Sequence, residues 1–246
     1  MSHTLRCGPD TILDILGKKP YEIIHKSLGK DNIYDIYLCG DIEPCGEYIE
    51  VFSLLEKAEA GDCIRIILNT YGGDLFSGLQ FLYSMSKSEA HIHCIVEGAA
   101  YSCGSIIMLG CDTFEVSPFA SIMCHTYSGG SLGKGSELKN KFSWEQPWLD
   151  DKLREIYTGF LTDDEIQMML EGKDFWMGHE ECASRLEKYV DFYKEEELVN
   201  IEFKDMSPKD QRELIRDAMK EQTPSEDDMS NKNKRISLWE RLQNEE

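Results

Sequence analysis

Apolar runs of strand length alternate with segments of helical periodicity between residues 63 and 108. Cys63–Leu68 is apolar except for Arg65, which indicates a strand buried on both faces in a parallel sheet that helices cover. A helix is predicted at Leu75–Ser86, a strand at His91–Val96, and an apolar helix after that strand. This alternation predicts βαβ units with right-handed crossovers, and therefore an α/β fold.

Further predicted elements flank this region. Three more strands are predicted at Asn32–Gly40, Thr113–Val116 and Ser121–His125. Further helices are predicted at Asp10–Leu16, Tyr48–Ala58, Ser136–Phe160 and Glu180–Tyr189, with one more that begins at Thr162. We expect a kink or break near Gln146, because Pro147 lies inside the longest helix. Residues 128–135 are too rich in glycine for regular structure.

The composition restricts the partners. The 246 residues carry a formal charge of −20, which makes nucleic acid an unsuitable partner because phosphate binding needs clustered Lys and Arg. Neither a secretory signal nor an apolar run of about 20 residues is present, so no membrane association is expected. Nine cysteines without a Cys-x-x-Cys pair indicate a reducing compartment. We expect a cytoplasmic protein.

The sequence predicts no metal site and no cofactor. His91, His93 and Cys94 are close in sequence, but on a strand the two histidines share one face and Cys94 points to the other.

Ser102 is the first candidate for chemistry. It stands where an apolar strand gives way to an apolar helix, followed by Cys103 and Gly104. The free N–H groups at a helix start favour negative charge, which suits a nucleophile. A capping role for the Ser102 hydroxyl is equally compatible with this stretch.

Other residues make acyl transfer the favoured chemistry. His125 closes a strand one crossover further along, where its imidazole would serve as general base for the Ser102 hydroxyl. Asp174 is the best acid to orient that imidazole. The backbone N–H groups of Gly73 and Cys103 are the candidates for an oxyanion hole, and glycine lets the backbone approach the substrate.

Five motifs resemble, in order and at similar separations, the proteolytic subunit of the Clp protease. They are Leu38-Cys-Gly-Asp-Ile, Leu68-Asn-Thr-Tyr-Gly-Gly-Asp, Gly98-Ala-Ala-Tyr-Ser-Cys-Gly, Met123-Cys-His-Thr-Tyr-Ser-Gly-Gly and Asp174-Phe-Trp-Met. The resemblance covers about residues 33–191. It implies Ser102 as nucleophile, His125 as base and Asp174 as third member, with oxyanion-hole amides at Gly73 and Cys103.

The resemblance also implies a fold and an assembly. The fold would be crotonase-like, with repeated ββα units and a protruding strand-helix handle at about 132–160. The subunits would form homo-oligomeric heptameric rings that stack into a chamber. An AAA+ unfoldase would feed polypeptide substrates into this chamber, in the cytoplasm of a bacterial or phage-infected cell. The predicted organisation is an N-terminal segment at 1–31, a catalytic domain at 32–193 and a charged, partly disordered extension at 194–246.

Some positions depart from the family pattern. Thr70-Tyr71 stands in place of the usual Ser-Pro, Tyr101 in place of a small residue and Cys103 in place of methionine. These changes bear on the shape of the substrate pocket.

Several alternatives remain open at this stage. Crotonase-fold acyl-CoA enzymes also use glycine-rich turns as oxyanion holes, but they need no serine paired with histidine. A phage-type protease for capsid maturation and an inactive assembly homologue share the same fold. A thiol nucleophile at Cys103 or Cys124 is a further alternative, although Cys124 should face away from the site that His125 lines. The charged extension could also be a docking segment for another chain.

Overall fold

The computed structural model describes residues 19–28 and 31–205, and the side chains at 19–27 and 32–194. Within these residues seven strands form one mixed sheet. They are β1 (Glu22–Leu28), β2 (Asp31–Cys39), β3 (Cys63–Thr70), β4 (His91–Tyr101), β5 (Thr113–Val116), β6 (Ser121–Cys124) and β7 (Phe175–Gly178). The α-helices are α1 (Ile49–Lys57), α2 (Leu75–Ser86), α3 (Cys103–Leu109), α4 (Gly135–Tyr157), α5 (Asp163–Leu170) and α6 (His179–Asp205).

The centre of the sheet is parallel and its margins are antiparallel. The strand order is β1-β2-β3-β4-β6-β7, and β5 also pairs with β4. β2, β3 and β4 are parallel neighbours, as are β4 and β6, whereas β1 and β7 pair antiparallel with β2 and β6. The predicted α/β architecture is confirmed, and the long β4 contacts both strands that follow it.

The strand β1 was not predicted. Glu22–Leu28 is too polar to be recognised by apolar periodicity, but its backbone forms a hairpin ladder with β2. The predicted start of the catalytic domain at residue 32 would divide this hairpin. The predicted helix at Asp10–Leu16 lies outside the described residues.

The helix α3 lies at the centre of the core. All seven of its residues are buried, from Cys103 to Leu109. It packs against α2, α4 and β4. Since α3 starts directly after Ser102, the candidate nucleophile stands at the edge of the best-packed part of the molecule.

An ion pair explains the arginine within the apolar strand β3. Arg65 lies opposite Asp35 in the parallel register of β2 and β3, and its Nε and Nη2 atoms donate to the two carboxylate oxygens of Asp35, both at 2.6 Å. The hydrogen bonds from Arg65 lower the pKa of Asp35. The predicted burial of β3 on both faces is therefore incomplete, because Cys63 and Arg65 are partly exposed on the second face while Ile67 is buried there.

Of the predicted kink or break near Gln146, the break is wrong. α4 continues from Gly135 to Tyr157 with Pro147 inside it. Proline cannot donate to the carbonyl of Ser143, but Ser143 and Pro147 are both exposed. Water can therefore hydrate that carbonyl, which makes the missing hydrogen bond tolerable.

Only the helix of the predicted handle is present in the chain. Residues 125–134 form neither helix nor strand, so the implied handle strand is absent. This glycine-rich segment has no neighbouring strand among the described residues, and a strand needs a partner for its ladder.

The final helix, α6, is longer than predicted. It extends to Asp205 instead of ending at Tyr189, and so crosses the predicted boundary at residue 194. The rest of the charged extension lies outside the described residues. Among the helices within the described part of the chain, none has both the length and the apolarity that crossing a bilayer requires.

Arg185 joins α5 to α6 through the carboxylate of Glu165. Its two terminal nitrogens donate to the two oxygens of Glu165, each at 2.8 Å. These bonds lower the pKa of Glu165 from 4.5 to about 2. The depressed pKa means that the pair stabilises the fold fully above the unfolded pKa of 4.5, and that this contribution disappears as the pH falls towards the folded value.

We expect Glu165→Gln to lower the free energy of unfolding by about 2 kcal/mol at neutral pH, after the pKa shift is discounted for partial exposure. The difference from wild type should shrink as the pH falls from about 5 to about 2, because the Glu165 carboxylate becomes protonated over this range, first in the unfolded and then in the folded protein. Urea unfolding at each pH measures it. Glu171→Gln is the control, since Glu171 pairs with no Lys or Arg among the described residues. An equal pH effect in both variants would contradict the assignment.

Candidate active site

Ser102 occupies a strained position between β4 and α3. Its φ is 53° and its ψ is −121°, and it is the one non-glycine residue with positive φ in the part of the chain that the structure describes. Such a conformation costs on the order of 1–3 kcal/mol and persists only where the surroundings impose it. The Ser102 side chain makes no capping hydrogen bond to α3, so the capping alternative is not observed.

The backbone of Ser102 is held on both sides. Its N–H donates to the carbonyl of Met123 at 2.8 Å. Its own carbonyl accepts from the N–H of Ser105 at 2.9 Å and from the Ser105 hydroxyl at 2.7 Å. The first of these bonds ties the nucleophile turn to β6, the strand that leads to His125.

The structure brings together Ser102 and His125, the candidate nucleophile and the candidate base. His125 follows β6 directly, and its Nε2 lies 2.6 Å from the Oγ of Ser102. β4 and β6 are parallel neighbours with Tyr101 opposite Met123, which brings the two side chains to the same end of the sheet. A neutral imidazole at this distance accepts the serine proton, as a general base requires.

Asp174 forms no bond with this pair in the part of the chain that the structure describes. β6 and β7 pair Cys124 with Phe175, so the register continued by one residue places Asp174 opposite His125. Asp174 is exposed, and among the described residues no hydrogen bond or ion pair joins its carboxylate to His125. Its role as third member stays a prediction.

Two loops in direct contact carry the predicted oxyanion-hole amides. A Cβ added to Gly72 would lie 2.7 Å from the Cβ of Ser102 and 3.1 Å from the backbone N of Cys103. Gly73 has a φ of 153°, and a Cβ there would lie 2.1 Å from the carbonyl oxygen of Ile42, so no other residue fits without movement. The N–H of Cys103 starts α3 and has no acceptor within that helix.

The geometry argues against a thiol nucleophile. Burial raises the pKa of the Cys103 thiol to about 12 and that of the Cys124 thiol to about 12. Both thiols therefore stay protonated near neutral pH, whereas the thiolate is the reactive form. The Cys103 thiol donates its proton in a hydrogen bond to the carbonyl of Asp74 at 3.3 Å. It therefore does not donate to a base, as an activated nucleophile would.

Three aromatic rings border the site. The Tyr101 ring contacts Tyr71 at 5.4 Å and Trp176 at 5.0 Å, measured between centroids. Tyr71 and Trp176 are 72% and 58% exposed. Tyr71 and Tyr101 stand at positions where the sequence departs from the family pattern. Trp176 lies on β7, two residues after Asp174.

Sequence reasoning missed two buried polar residues near Ser102, the candidate nucleophile. The Ser105 hydroxyl and the Tyr157 hydroxyl lie 2.7 Å apart, both inside the core. A signal was available, because a serine within an otherwise apolar helix must find a partner when it is buried. The sequence does not reveal that the partner comes from α4.

Titratable residues are not gathered into a metal site. The described part of the chain contains no group of three or more His, Cys, Asp or Glu side chains placed to hold a metal ion.

Comparison with known proteins finds relatives in one family. A family model described as Clp protease matches residues 22–185, a span that includes β1. The ATP-dependent Clp protease proteolytic subunit 1 of Salinibacter ruber is 28% identical over 170 residues, which cover 68% of this chain and 72% of that protein. The Deinococcus radiodurans proteolytic subunit is 26% identical over 170 residues, or 68% of this chain and 82% of its own length.

A third relative matches over a shorter range. The proteolytic subunit of Pleurastrum terricola is 29% identical over 107 residues, which cover 42% of this chain and 55% of that protein. Together these matches confirm the resemblance that the five motifs predicted. They also confirm the predicted crotonase-like fold.

Proposed function

Because the chain belongs to the Clp protease family, a family of peptidases, we propose that it is a serine endopeptidase. Ser102 is the nucleophile, His125 the general base and Asp174 the residue that orients His125. The observation that carries the proposal is the hydrogen bond of 2.6 Å between His125 Nε2 and Ser102 Oγ, at a turn where serine is held in a strained conformation.

The reaction follows from these positions. The Ser102 Oγ attacks the peptide carbonyl carbon while its proton passes to His125 Nε2. The N–H groups of Gly73 and Cys103 stabilise the negative oxygen of the tetrahedral intermediate. His125 then gives the proton to the leaving amine, and the C–N bond breaks to leave an acyl-enzyme. A water, deprotonated by His125, releases the acid and restores Ser102.

The hydrogen bond between Ser102 and His125 and the strained φ of Ser102 bear on the alternative functions. An acyl-CoA enzyme of the crotonase fold needs the oxyanion hole but not a serine hydrogen-bonded to histidine. An inactive assembly homologue would have no requirement for the strained φ of Ser102, which costs free energy without improving packing. A capsid-maturation protease would use the same residues on fewer substrates.

The proposed assembly is a homo-oligomeric ring, heptameric as in the family resemblance, with its sites facing a chamber. An AAA+ unfoldase would supply unfolded polypeptides, and the complex would work in the cytoplasm. Support comes from three stacked aromatic rings, of which Phe76 and Trp144 are exposed. Trp148 stacks on Phe76 at 6.3 Å and on Trp144 at 5.8 Å, and Trp144 is 67% exposed. A neighbouring copy would bury rings that are costly to leave in water.

A fluorophosphonate probe tests the mechanism. The full-length protein should form one covalent adduct, and peptide mapping by mass spectrometry should place it on Ser102. The Ser102→Ala protein should form none. An adduct on Cys103 or Cys124 would indicate a thiol nucleophile and contradict the serine mechanism. Acyl-CoA that copurifies with an unlabelled protein would favour the crotonase-type enzyme instead.

A further inference from the structure

Hydrogen bonds of the backbone must hold Ser102 in its strained conformation through the catalytic cycle. The hydrogen bond from its N–H to Met123 fixes one side of the turn. On the other side, the Ser102 carbonyl accepts two hydrogen bonds from Ser105, one from the backbone and one from the hydroxyl. The hydroxyl bond, at 2.7 Å, is an addition that an ordinary helix start does not have.

The direction of the hydrogen bonds can be assigned. A hydroxyl has one proton, and the Ser105 hydroxyl donates it to the Ser102 carbonyl. The Tyr157 hydroxyl, 2.7 Å from the Ser105 Oγ, must therefore be the donor in that contact. Burial raises the pKa of Tyr157 well above its ordinary value, so Tyr157 keeps its proton near neutral pH.

This chain of hydrogen bonds is fully enclosed. Ser105 and Tyr157 both have 0% exposure, so bulk water does not reach them, and their other polar neighbour is the buried thiol of Cys124. Successive hydrogen bonds polarise one another, which strengthens each of them inside a protein. Tyr157 is the last residue of α4, and the bond to Ser105 therefore connects the end of that helix with the nucleophile turn.

We propose that Tyr157 and Ser105 are positioning residues for catalysis, which fix the Ser102 carbonyl and through it the direction of the Ser102 hydroxyl. The inference rests on the proposed function. Neither residue contacts the substrate in this role. Their removal should lower the rate of the chemical step while substrate affinity changes little, because a small displacement of a reacting group costs rate before it costs binding.

The chain offers a matched control for Tyr157→Phe. Tyr189 is also a buried tyrosine, and its hydroxyl donates to the carbonyl of Leu109 at 2.8 Å, at the opposite end of α3. Tyr189→Phe and Tyr157→Phe each remove one buried hydroxyl that bonds to the same helix. Their effects on stability should be similar, so a difference in catalysis reports position relative to Ser102.

The experiment measures kcat and KM of the full-length variants on one quenched fluorescent peptide, together with the rate of fluorophosphonate labelling. Tyr157→Phe should lower kcat and the labelling rate about tenfold while KM stays within about twofold of wild type. Tyr189→Phe should change kcat by less than about twofold. In the Ser105→Ala background, Tyr157→Phe should add little further loss, because the two residues act as one unit.

Two results would overturn the inference about Tyr157 and Ser105 and leave the proposed function intact. One is an equal loss of kcat in Tyr157→Phe and Tyr189→Phe, which would mean a general effect of stability. The other is a raised KM at unchanged kcat, which would assign Tyr157 to binding. If the wild-type protein neither hydrolyses the peptide nor labels at Ser102, the proposed function fails, and the inference fails with it.

Discussion

Ser102→Ala should lower the turnover of a short peptide by at least about 10⁴-fold, to the rate that binding and the oxyanion hole alone can support. The change removes the atom that attacks the carbonyl. Alanine meets the same steric penalty as serine at a φ of 53°, and the hydroxyl makes no capping bond. The free energy of unfolding should therefore change by less than about 1 kcal/mol.

Loss of His125 should reduce turnover about as much as loss of Ser102. His125→Ala should cost nearly as much turnover as Ser102→Ala, and the double variant should be no slower than either single variant, because the two groups perform one proton transfer. Initial rates on one peptide and urea unfolding measure the two quantities. Ser86→Ala is the control, since the Ser86 hydroxyl also forms a hydrogen bond, to Tyr83, but on α2 away from the site. Turnover within tenfold of wild type in Ser102→Ala would contradict the serine mechanism.

Assembly should be the same in the Ser102→Ala protein. The hydroxyl of Ser102 bonds to His125, whereas the rings that we expect in the subunit contact are Phe76 on α2 and Trp144 and Trp148 on α4. Sedimentation velocity of wild type and variant should give the same distribution. A loss of turnover with unchanged sedimentation then belongs to the chemistry and not to subunit association.

The parts of the fold that local periodicity determines could be predicted from the sequence. The helix α2 and the strand β5 have the predicted bounds, Leu75–Ser86 and Thr113–Val116. In both cases apolar spacing coincides with a clear start or end signal. The position of the turn at Ser102 could be predicted as well, since the apolar pattern of a strand ends and that of a helix begins there.

The errors arise where contacts between distant segments decide the outcome. β1 is polar and forms because its backbone pairs with β2, an interaction that periodicity does not report. The charge of Arg65 inside β3 is compensated by Asp35 on the neighbouring strand. α4 continues through Pro147 because that position is exposed, and exposure depends on the tertiary structure rather than on the residue.

In the candidate site, too, some features could be predicted from the sequence and others could not. Ser102 and His125 are held by the backbone, through the bond from Ser102 to Met123 and the register of β4 and β6, so their meeting follows from the order of the strands. The contact between Ser105 and Tyr157 joins α3 to α4, and no local pattern predicts it. The orientation of the Asp174 side chain is also not determined locally, because an exposed carboxylate can take several rotamers.

Asp174→Asn should lower kcat about 10²- to 10³-fold, less than the loss in His125→Ala. Directly opposite residues of an antiparallel pair have Cβ atoms about 4.5–5.5 Å apart, a separation that an aspartate can bridge to an imidazole by rotation of its side chain. The extended register of β6 and β7 places Asp174 in that relation to His125. Asparagine retains the shape but can present an N–H, which favours the wrong tautomer of the imidazole.

The control for this variant is Asp191→Asn, because Asp191 is an exposed aspartate on α6 and carries the same charge away from the site. Asp191→Asn should leave kcat within about twofold of wild type, so that loss of one negative charge is separated from loss of the carboxylate beside His125. Fluorophosphonate labelling should slow in Asp174→Asn in proportion to kcat, since both reactions need the same proton transfer. If Asp174→Asn keeps wild-type kcat and labelling, His125 works as a base without this carboxylate. The catalytic unit would then be the Ser102 and His125 pair that the hydrogen bond of 2.6 Å already joins.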